Sequence, residues 1–168
     1  MNFGLLLARL VLGPMMAAHG AQKLFAWFGG HGIPGTAGFF ETLGFRPGRV
    51  FVVGAAGAEV TGGLLVALGL LSPIGSALIL AVMIVAARTV HWRNGVFAAS
   101  NGVEVPLLYA TGVSALALTG PGAYSLDRLL GLSAFWTPAA RVAALALGIA
   151  GAVANLLVRR PDPAGKVA

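Results

Sequence analysis

Residues Val50 to Leu71 read VFVVGAAGAEVTGGLLVALGLL, an apolar run with a single ionisable side chain, Glu59, near its middle. A run of about 20 mostly apolar residues is long enough to cross the hydrocarbon core of a bilayer as an α-helix. A lone carboxylate in hydrocarbon is costly unless it is paired, hydrated or protonated. The stretch therefore predicts a transmembrane helix, and Glu59 becomes a candidate functional residue whose partner must come from another segment.

Four more apolar segments lie on either side of this one. The chain of 168 residues is 58% hydrophobic and 10% charged, with a mean hydropathy of +0.89, whereas soluble domains carry about 25% charged residues. We predict spanning segments at 3–23, 50–71, 73–90, 103–119 and 138–158. Residues 1–160 would then form one all-α membrane domain, a four-helix bundle with a fifth, C-terminal transmembrane helix, and 161–168 would form a cytoplasmic tail.

Basic residues lie mainly near the predicted helix ends, so the net charge of +6 indicates membrane topology rather than nucleic-acid binding. Five spans would place one group on one side of the membrane: Lys23, Arg46, Arg49, Arg88, Arg93, Arg159, Arg160 and Lys166. The other side would carry Arg128 and Arg141. The positive-inside rule predicts insertion in the cell membrane with the N-terminus outside and the C-terminus in the cytoplasm. If the last segment were peripheral, both termini would lie outside.

Two loops are predicted to contain short interfacial helices. The first covers Thr36 to Gly44, because threonine is a good N-cap and glycine a good helix terminator. The second lies within Ala123 to Leu132, where Ser125 can cap a helix that turns Asp127 and Arg128 away from its apolar face. Amphipathic segments of this kind suit the boundary between headgroups and hydrocarbon, and the first could instead fold back on the bundle.

Small residues recur at helical spacing in two of the predicted spans. The rows are Gly54, Ala58 and Gly62, beside Ala55, Glu59 and Gly63, and in the last span Ala140, Ala144, Gly148 and Ala152. Such rows let helix backbones approach closely. They predict that Glu59 faces protein rather than lipid, and that the last helix packs within the bundle or in a homo-oligomer.

Arg9, inside the first span, is the candidate partner for Glu59. If the spans begin and end at similar depths, Arg9 is roughly 9 Å and Glu59 roughly 14 Å from opposite faces of a core of about 30 Å. The two depths then differ by about 7 Å, which an arginine side chain can largely cover. Alternatively, Arg9 extends to the outer interface. We predict a buried polar or proton site of Glu59, Arg9, His19 and Lys23, while the last two could equally be interfacial side chains.

A second polar group is predicted at the cytoplasmic mouth of the bundle. It consists of His91, Arg93, Asn101 and Glu104, facing His19 and Lys23. Such a vestibule suits an anion or a quinone headgroup. Two histidines and a carboxylate could bind a divalent metal, but the spacing matches no metal motif and we predict no metal site.

Taken together, these motifs resemble the DoxX family of small membrane proteins, which includes DoxD-like relatives. The matching features are Arg9, His19-Gly20-Ala21-Gln22-Lys23-Leu24, the loop Gly35 to Gly44, Glu59 with Gly62, Gly63 and Gly69, then His91, Asn101, Glu104 and Gly120-Pro121-Gly122-Ala123-Tyr124-Ser125-Leu126-Asp127. The resemblance implies a four-helix membrane bundle, from which the fifth helix departs. It also implies association with quinol oxidase and thiosulfate:quinone oxidoreductase subunits, or with oxidative-stress assemblies that include superoxide dismutase and a sulfurtransferase.

These observations lead to three hypotheses about function. The chain has no cysteine, which excludes disulfide, Fe–S and dithiol chemistry of its own, and we expect it not to be an autonomous enzyme. It would be a membrane subunit of a redox complex that holds a quinone headgroup or relays protons, with no cofactor bound covalently. Alternatively, it anchors soluble redox enzymes or other membrane subunits, or it is a small-molecule or proton-coupled transporter.

Overall fold

The computed structural model describes residues 2–160, which are helical and contain no strand. The helices are α1 (Asn2–Phe25), α2 (Gly32–Thr42), α3 (Gly48–Leu68), α4 (Ser72–Ala86), α5 (Glu104–Thr119), α6 (Leu126–Leu129) and α7 (Pro138–Leu157). A π-helical turn, Ala87–His91, and a 3₁₀ turn, Trp92–Asn94, extend α4. The predicted tail, 161–168, lies outside the described residues.

Four helices are long and apolar enough to cross a membrane. They are α1, α3, the extended α4 (Ser72–Asn94) and α7. Helix α5 has 16 residues, which is about 24 Å against a hydrocarbon core of about 30 Å. The all-helical membrane fold is therefore confirmed, whereas a span at α5 and the interfacial placement of the short helices stay predictions.

Helices α1 and α3 run antiparallel with their backbones in contact. A β-carbon added to Gly13 would lie 2.6 Å from the carbonyl oxygen of Gly63, and one added to Gly20 would lie 2.7 Å from that of Ala56. The residue numbers of these close pairs sum to 76. Because the sum stays constant along an antiparallel pair, it defines which residues of the two helices are level with each other.

The last members of the small-residue rows of α3, Gly62 and Gly63, face other helices as predicted, whereas Gly54 at the start of its row is exposed. Gly63 lies against α1, and a β-carbon added to Gly62 would lie 2.9 Å from the carbonyl oxygen of Gly75 on α4. Glu59, on the same side of α3, is 2% exposed. The prediction that Glu59 faces protein is confirmed.

Helix α2 begins one turn earlier than predicted, at Gly32 rather than Thr36. Pro34 lies in this first turn, where a missing backbone N–H has no hydrogen bond to lose, so it does not prevent the earlier start. The predicted end is confirmed, because the helix closes at Leu43 and Gly44 follows with φ +93°.

Helix α6 is capped by Ser125, whose hydroxyl accepts a hydrogen bond from the backbone N–H of Arg128 at 3.2 Å. The capping prediction is thus confirmed. The prediction that Asp127 points outward with Arg128 is wrong, because Asp127 is fully buried while Arg128 is exposed. The segment packs against the turn between α3 and α4, and this contact covers the aspartate.

Helix α7 packs along α4 within the chain. A β-carbon added to Gly148 would lie 2.6 Å from the carbonyl oxygen of Ala77, and Ala152 is buried. At the end of α7, the backbone N–H of Arg160 donates to the carbonyl of Gly44 at 2.8 Å, and Arg159 donates to that of Leu43. These contacts tie the C-terminal end of α7 to the end of α2, while homo-oligomerisation stays a prediction.

The apolar core lies between α1, α3, α4, α5 and α7. Its buried members are Met16, Val66, Ile79, Leu80, Met83, Tyr109, Val113, Leu116, Ala117 and Leu145. The core is continuous with a cavity, since Met16, Met83 and Tyr109 belong to both.

Candidate functional site

A cavity of about 800 Å³ lies in the half of the bundle that contains the C-terminal ends of α1, α4 and α7. Side chains from α1, α2, α3, α4, α5 and α7 line it, and most of them are apolar. The polar side chains among the lining residues are His19, Lys23, Glu59, Thr89, His91, Asn101, Tyr109 and Asn155. An apolar cavity with a few convergent polar groups is the usual form of a small-molecule site.

Lys23 and Glu59 form an ion pair in the wall of this cavity. The Lys23 ammonium lies 2.5 Å from both carboxylate oxygens of Glu59. The side chain of Glu59 is 3% exposed and that of Lys23 is 25% exposed. By the register of the α1–α3 contact, Lys23 is level with Val53, six residues or about 9 Å along α3 from Glu59, and the flexible lysine stem reaches the buried carboxylate.

Arg9 does not pair with Glu59, and the predicted Arg9–Glu59 contact is wrong. Arg9 donates to the backbone carbonyls of Pro121 and Tyr124 and is 3% exposed. Its guanidinium packs on Gly69, where an added β-carbon would lie 2.5 Å from Nη1. Since Arg9 is level with Ala67, near the end of α3, it is eight residues, or about 12 Å, from the level of Glu59.

The depth estimate failed because it assumed that α1 and α3 end at the same level. Helix α1 instead begins about two turns beyond the last residue of α3. Arg9 therefore lies near the turn between α3 and α4, rather than beside the middle of α3. The predicted four-residue site therefore divides into two: Lys23, Glu59 and His19 line the cavity, and Arg9 belongs to a separate cluster at the other end of the bundle.

Asp127 is the centre of that second cluster, and its role was missed. Its carboxylate accepts hydrogen bonds from the backbone N–H groups of Leu71, at 2.8 Å, and Ser72, at 2.9 Å, at the start of α4. Its own N–H donates to the carbonyl of Gly69 at 2.9 Å, and its charge attracts Arg9. The sequence signal for this role was the start of α4. The side chain of Leu71 cannot cap the helix there, so its first N–H groups need an acceptor from another segment.

His19 and Tyr109 face each other across the cavity side of α1 and α5. Their ring centroids are 6.2 Å apart, with an angle of 82° between the ring planes. Tyr109 is 6% exposed, and its buried hydroxyl has no hydrogen-bond partner among residues 2–160. Tyr109 was not predicted as a site residue. The available signal was a tyrosine within an apolar helix, because a buried phenol usually needs a partner.

The predicted vestibule is only partly assembled. His91 and Asn101 line the cavity, and Nδ1 of His91 lies 2.8 Å from the backbone carbonyl oxygen of Asn101. Arg93 and Glu104 are not among the lining residues. Glu104 instead accepts a hydrogen bond from the backbone N–H of Ala98 at 2.7 Å, so it holds the loop before α5.

No group of three metal-binding side chains lies together within residues 2–160.

The cavity reaches the outer surface of the bundle between α3 and α7. Gly54 on α3 and Gly151 and Asn155 on α7 both line the cavity and are exposed. Gly54 and Gly151 are each six residues inside their helices, at about 9 Å from the helix end. The cavity therefore opens on the side of the bundle rather than at the helix ends.

Comparison with known families supports the resemblance. The sequence profile of the DoxX family matches residues 4–92, just over half of the chain. The matched region contains Lys23, Glu59, His19 and Arg9, and it ends before Tyr109. Neither the search of curated proteins nor the search of solved structures found a match. Because this match covers more than half of its length, the chain belongs to the DoxX family.

Proposed function

We propose that this protein is a membrane subunit of a redox complex and that its cavity binds the headgroup of a quinone. The observation that carries the proposal is the cavity of about 800 Å³, which is apolar except for the Lys23–Glu59 pair and a few polar groups beside it. Ligand cavities typically measure about 300–1,000 Å³. Family membership supports the redox setting through the complexes with which the resemblance is associated.

The side chains of the cavity suit a ligand with carbonyl oxygens and an apolar body. The Lys23 ammonium has three N–H groups. Two of them donate to the two carboxylate oxygens of Glu59, so the third remains to donate to a ligand oxygen. His19 and Glu59 are groups that can hold or deliver a proton beside it. When bound, a quinone would supply reversible two-electron chemistry. The protein's part is to orient the headgroup, exclude water and hold protons nearby.

The opening between α3 and α7 offers an amphiphilic ligand a route from the bilayer. Small residues at this opening, including Gly54 and Gly151, leave room for an isoprenoid or alkyl tail. In the predicted orientation, with α5 crossing the membrane as the fifth span, the cavity lies in the cytoplasmic half. His91 and Asn101 would then connect the headgroup to the cytoplasmic interface, where soluble redox partners and protons are available.

The test is to measure quinone that co-purifies with the protein in native-lipid nanodiscs. Quinone is extracted and quantified per protein, relative to its content in the bulk lipid. Gly54→Leu should displace it, because position 54 lines the cavity and an added β-carbon has no neighbour within 4 Å. Gly57→Leu is the matched control, since Gly57 is equally unobstructed on the same helix but does not line the cavity.

We expect wild type and Gly57→Leu to retain quinone above the bulk-lipid level and Gly54→Leu to lose it. Equal retention by the two variants, or no enrichment in the wild type, would refute the quinone site. Capture of soluble redox enzymes without any quinone would instead support the role of a membrane anchor.

A further inference from the structure

We propose that the hydroxyl of Tyr109 is the hydrogen-bond donor that selects a ligand carrying an acceptor oxygen. The inference rests on the proposed function, because it names the group that recognises the headgroup in the same cavity. It goes further by assigning this recognition to α5, beyond the part of the chain that matches the family profile, which ends at residue 92.

The first argument is the state of the hydroxyl itself. Tyr109 lines the cavity and is 6% exposed, yet its oxygen has no hydrogen-bond partner among residues 2–160. Leaving a buried polar group unsatisfied is unfavourable, and the large majority of buried polar groups have a partner. A phenylalanine would fill the same apolar space without that penalty. The hydroxyl is therefore better explained by recognition than by packing.

The second argument is that the carboxylate of Glu59 is already engaged by another group. Glu59 is close enough to interact electrostatically with Tyr109. However, both oxygens of Glu59 lie 2.5 Å from the Lys23 ammonium, and neither forms a hydrogen bond with the phenol. The carboxylate is thus engaged by Lys23, and the phenol proton has no acceptor among residues 2–160.

The third argument concerns orientation and ligand class. The edge-to-face contact with His19 holds the tyrosine ring, and the imidazole of His19 makes no hydrogen bond with another of residues 2–160. Phenol, imidazole and ammonium groups then lie around one end of an apolar cavity. This arrangement matches a ring carbonyl on an alkyl tail and disfavours a pure hydrocarbon, which would leave the donors unsatisfied.

The experiment compares two ligands that share a ring and a tail. Purified protein in nanodiscs is titrated with radiolabelled decylubiquinone, and decylbenzene, which has no oxygen, is used as competitor. Tyr109→Phe removes one oxygen atom from the cavity. Tyr124→Phe makes the same chemical change at the other tyrosine of the chain, which is exposed and does not line the cavity.

We expect Tyr109→Phe to weaken decylubiquinone binding roughly three- to tenfold, the effect of one net hydrogen bond. Decylbenzene should compete as well for Tyr109→Phe as for the wild type. Decylubiquinone should bind Tyr124→Phe as tightly as the wild type. The unfolding midpoint of ligand-free Tyr109→Phe should equal or exceed that of the wild type, whereas a structural hydrogen bond would make it fall. As a second variant, His19→Phe retains a ring beside Tyr109 and should also weaken decylubiquinone selectively.

The outcomes separate the two proposals. If Gly54→Leu blocks decylubiquinone but Tyr109→Phe binds it as tightly as the wild type, the tyrosine inference is overturned and the quinone site stands. Wild-type binding of decylbenzene as tight as that of decylubiquinone would also overturn the inference, because the cavity would then be a site for apolar chains. Failure of the wild type to bind decylubiquinone would overturn both.

Discussion

Removing the charge of Lys23 should destabilise the protein more than removing the charge of Glu59. The reason is the asymmetry of their burial, with 3% of the Glu59 side chain exposed against 25% for Lys23. Lys23→Met leaves the buried carboxyl group of Glu59 without its partner inside the bundle. In Glu59→Gln, by contrast, the flexible lysine can turn its ammonium toward the more polar mouth of the cavity.

The expected magnitudes follow from this geometry. Removing one partner of a fully buried ion pair costs about 3–5 kcal/mol. Because Lys23 is partly exposed, we place Lys23→Met at the lower end, about 3 kcal/mol. Glu59→Gln retains an amide that can accept a hydrogen bond from the ammonium, so its cost should be about 1 kcal/mol. The double variant should also lose only about 1 kcal/mol, since no buried charge remains.

The assay is reversible unfolding of the four proteins in mixed micelles, followed by far-ultraviolet circular dichroism. Unfolding free energies are compared as a double-mutant cycle, and Arg128→Met serves as a control because Arg128 is exposed at the opposite end of the bundle. The reasoning is refuted if Glu59→Gln costs as much as Lys23→Met. It is also refuted if the double variant loses the sum of the two single changes.

Two further predictions concern the stability of the other end of the bundle and of the helix contacts. Asp127→Ala should cost about 3 kcal/mol, because it leaves one buried and one half-buried N–H group at the start of α4 unsatisfied. Glu41→Ala removes an exposed side chain that accepts one N–H, so it should cost less than about 1 kcal/mol. Gly63→Ala should cost about 1–3 kcal/mol, because its β-carbon would lie 2.5 Å from a backbone oxygen of α1. Gly57→Ala should be neutral or stabilise α3 by up to about 1 kcal/mol, since nothing lies within 4 Å. The same unfolding assay checks both pairs, and either prediction fails if the two members of its pair behave alike.

Sequence reasoning succeeded where the signal is local. The run from Val50 to Leu71 predicts a spanning helix from its length and composition alone, and α3 occupies most of it. Ser125 caps α6 and Gly44 follows the end of α2, because capping and left-handed conformations depend on neighbouring residues. The predicted start of α2 was wrong because it rested on Thr36 as the N-cap, whereas the helix begins at Gly32 and carries Thr36 within it.

Sequence reasoning failed where two segments had to be aligned. Arg9 and Lys23 were both candidate cations on α1, separated by 14 residues, and the choice between them depended on how far α1 slides along α3. That alignment is set by the close approach of Gly13, Gly20 and Gly63 to the facing backbones. A pattern of small residues predicts such contacts without saying which small residue meets which.

Tyr109 and Asp127 illustrate the same limit for side chains. Each lies in a helix whose own sequence indicates an ordinary apolar or amphipathic segment. Their importance comes from distant groups: the start of α4 for Asp127, and His19 and Glu59 for Tyr109. Neither environment can be derived from the sequence without the packing of α5 and α6 on the rest of the bundle.

The sequence by itself determined that the chain is a helical membrane protein of the DoxX family and that Glu59 needs a partner. Apolar length, charge content and motif order are enough for these conclusions, because hydrocarbon imposes the same demands on every segment. Only the tertiary structure decided that the partner is Lys23, that Arg9 joins Asp127 at the other end, and that an apolar cavity separates α3 from α7. Those outcomes depend on the relative positions of whole helices, and backbone contacts at a few glycines set these positions.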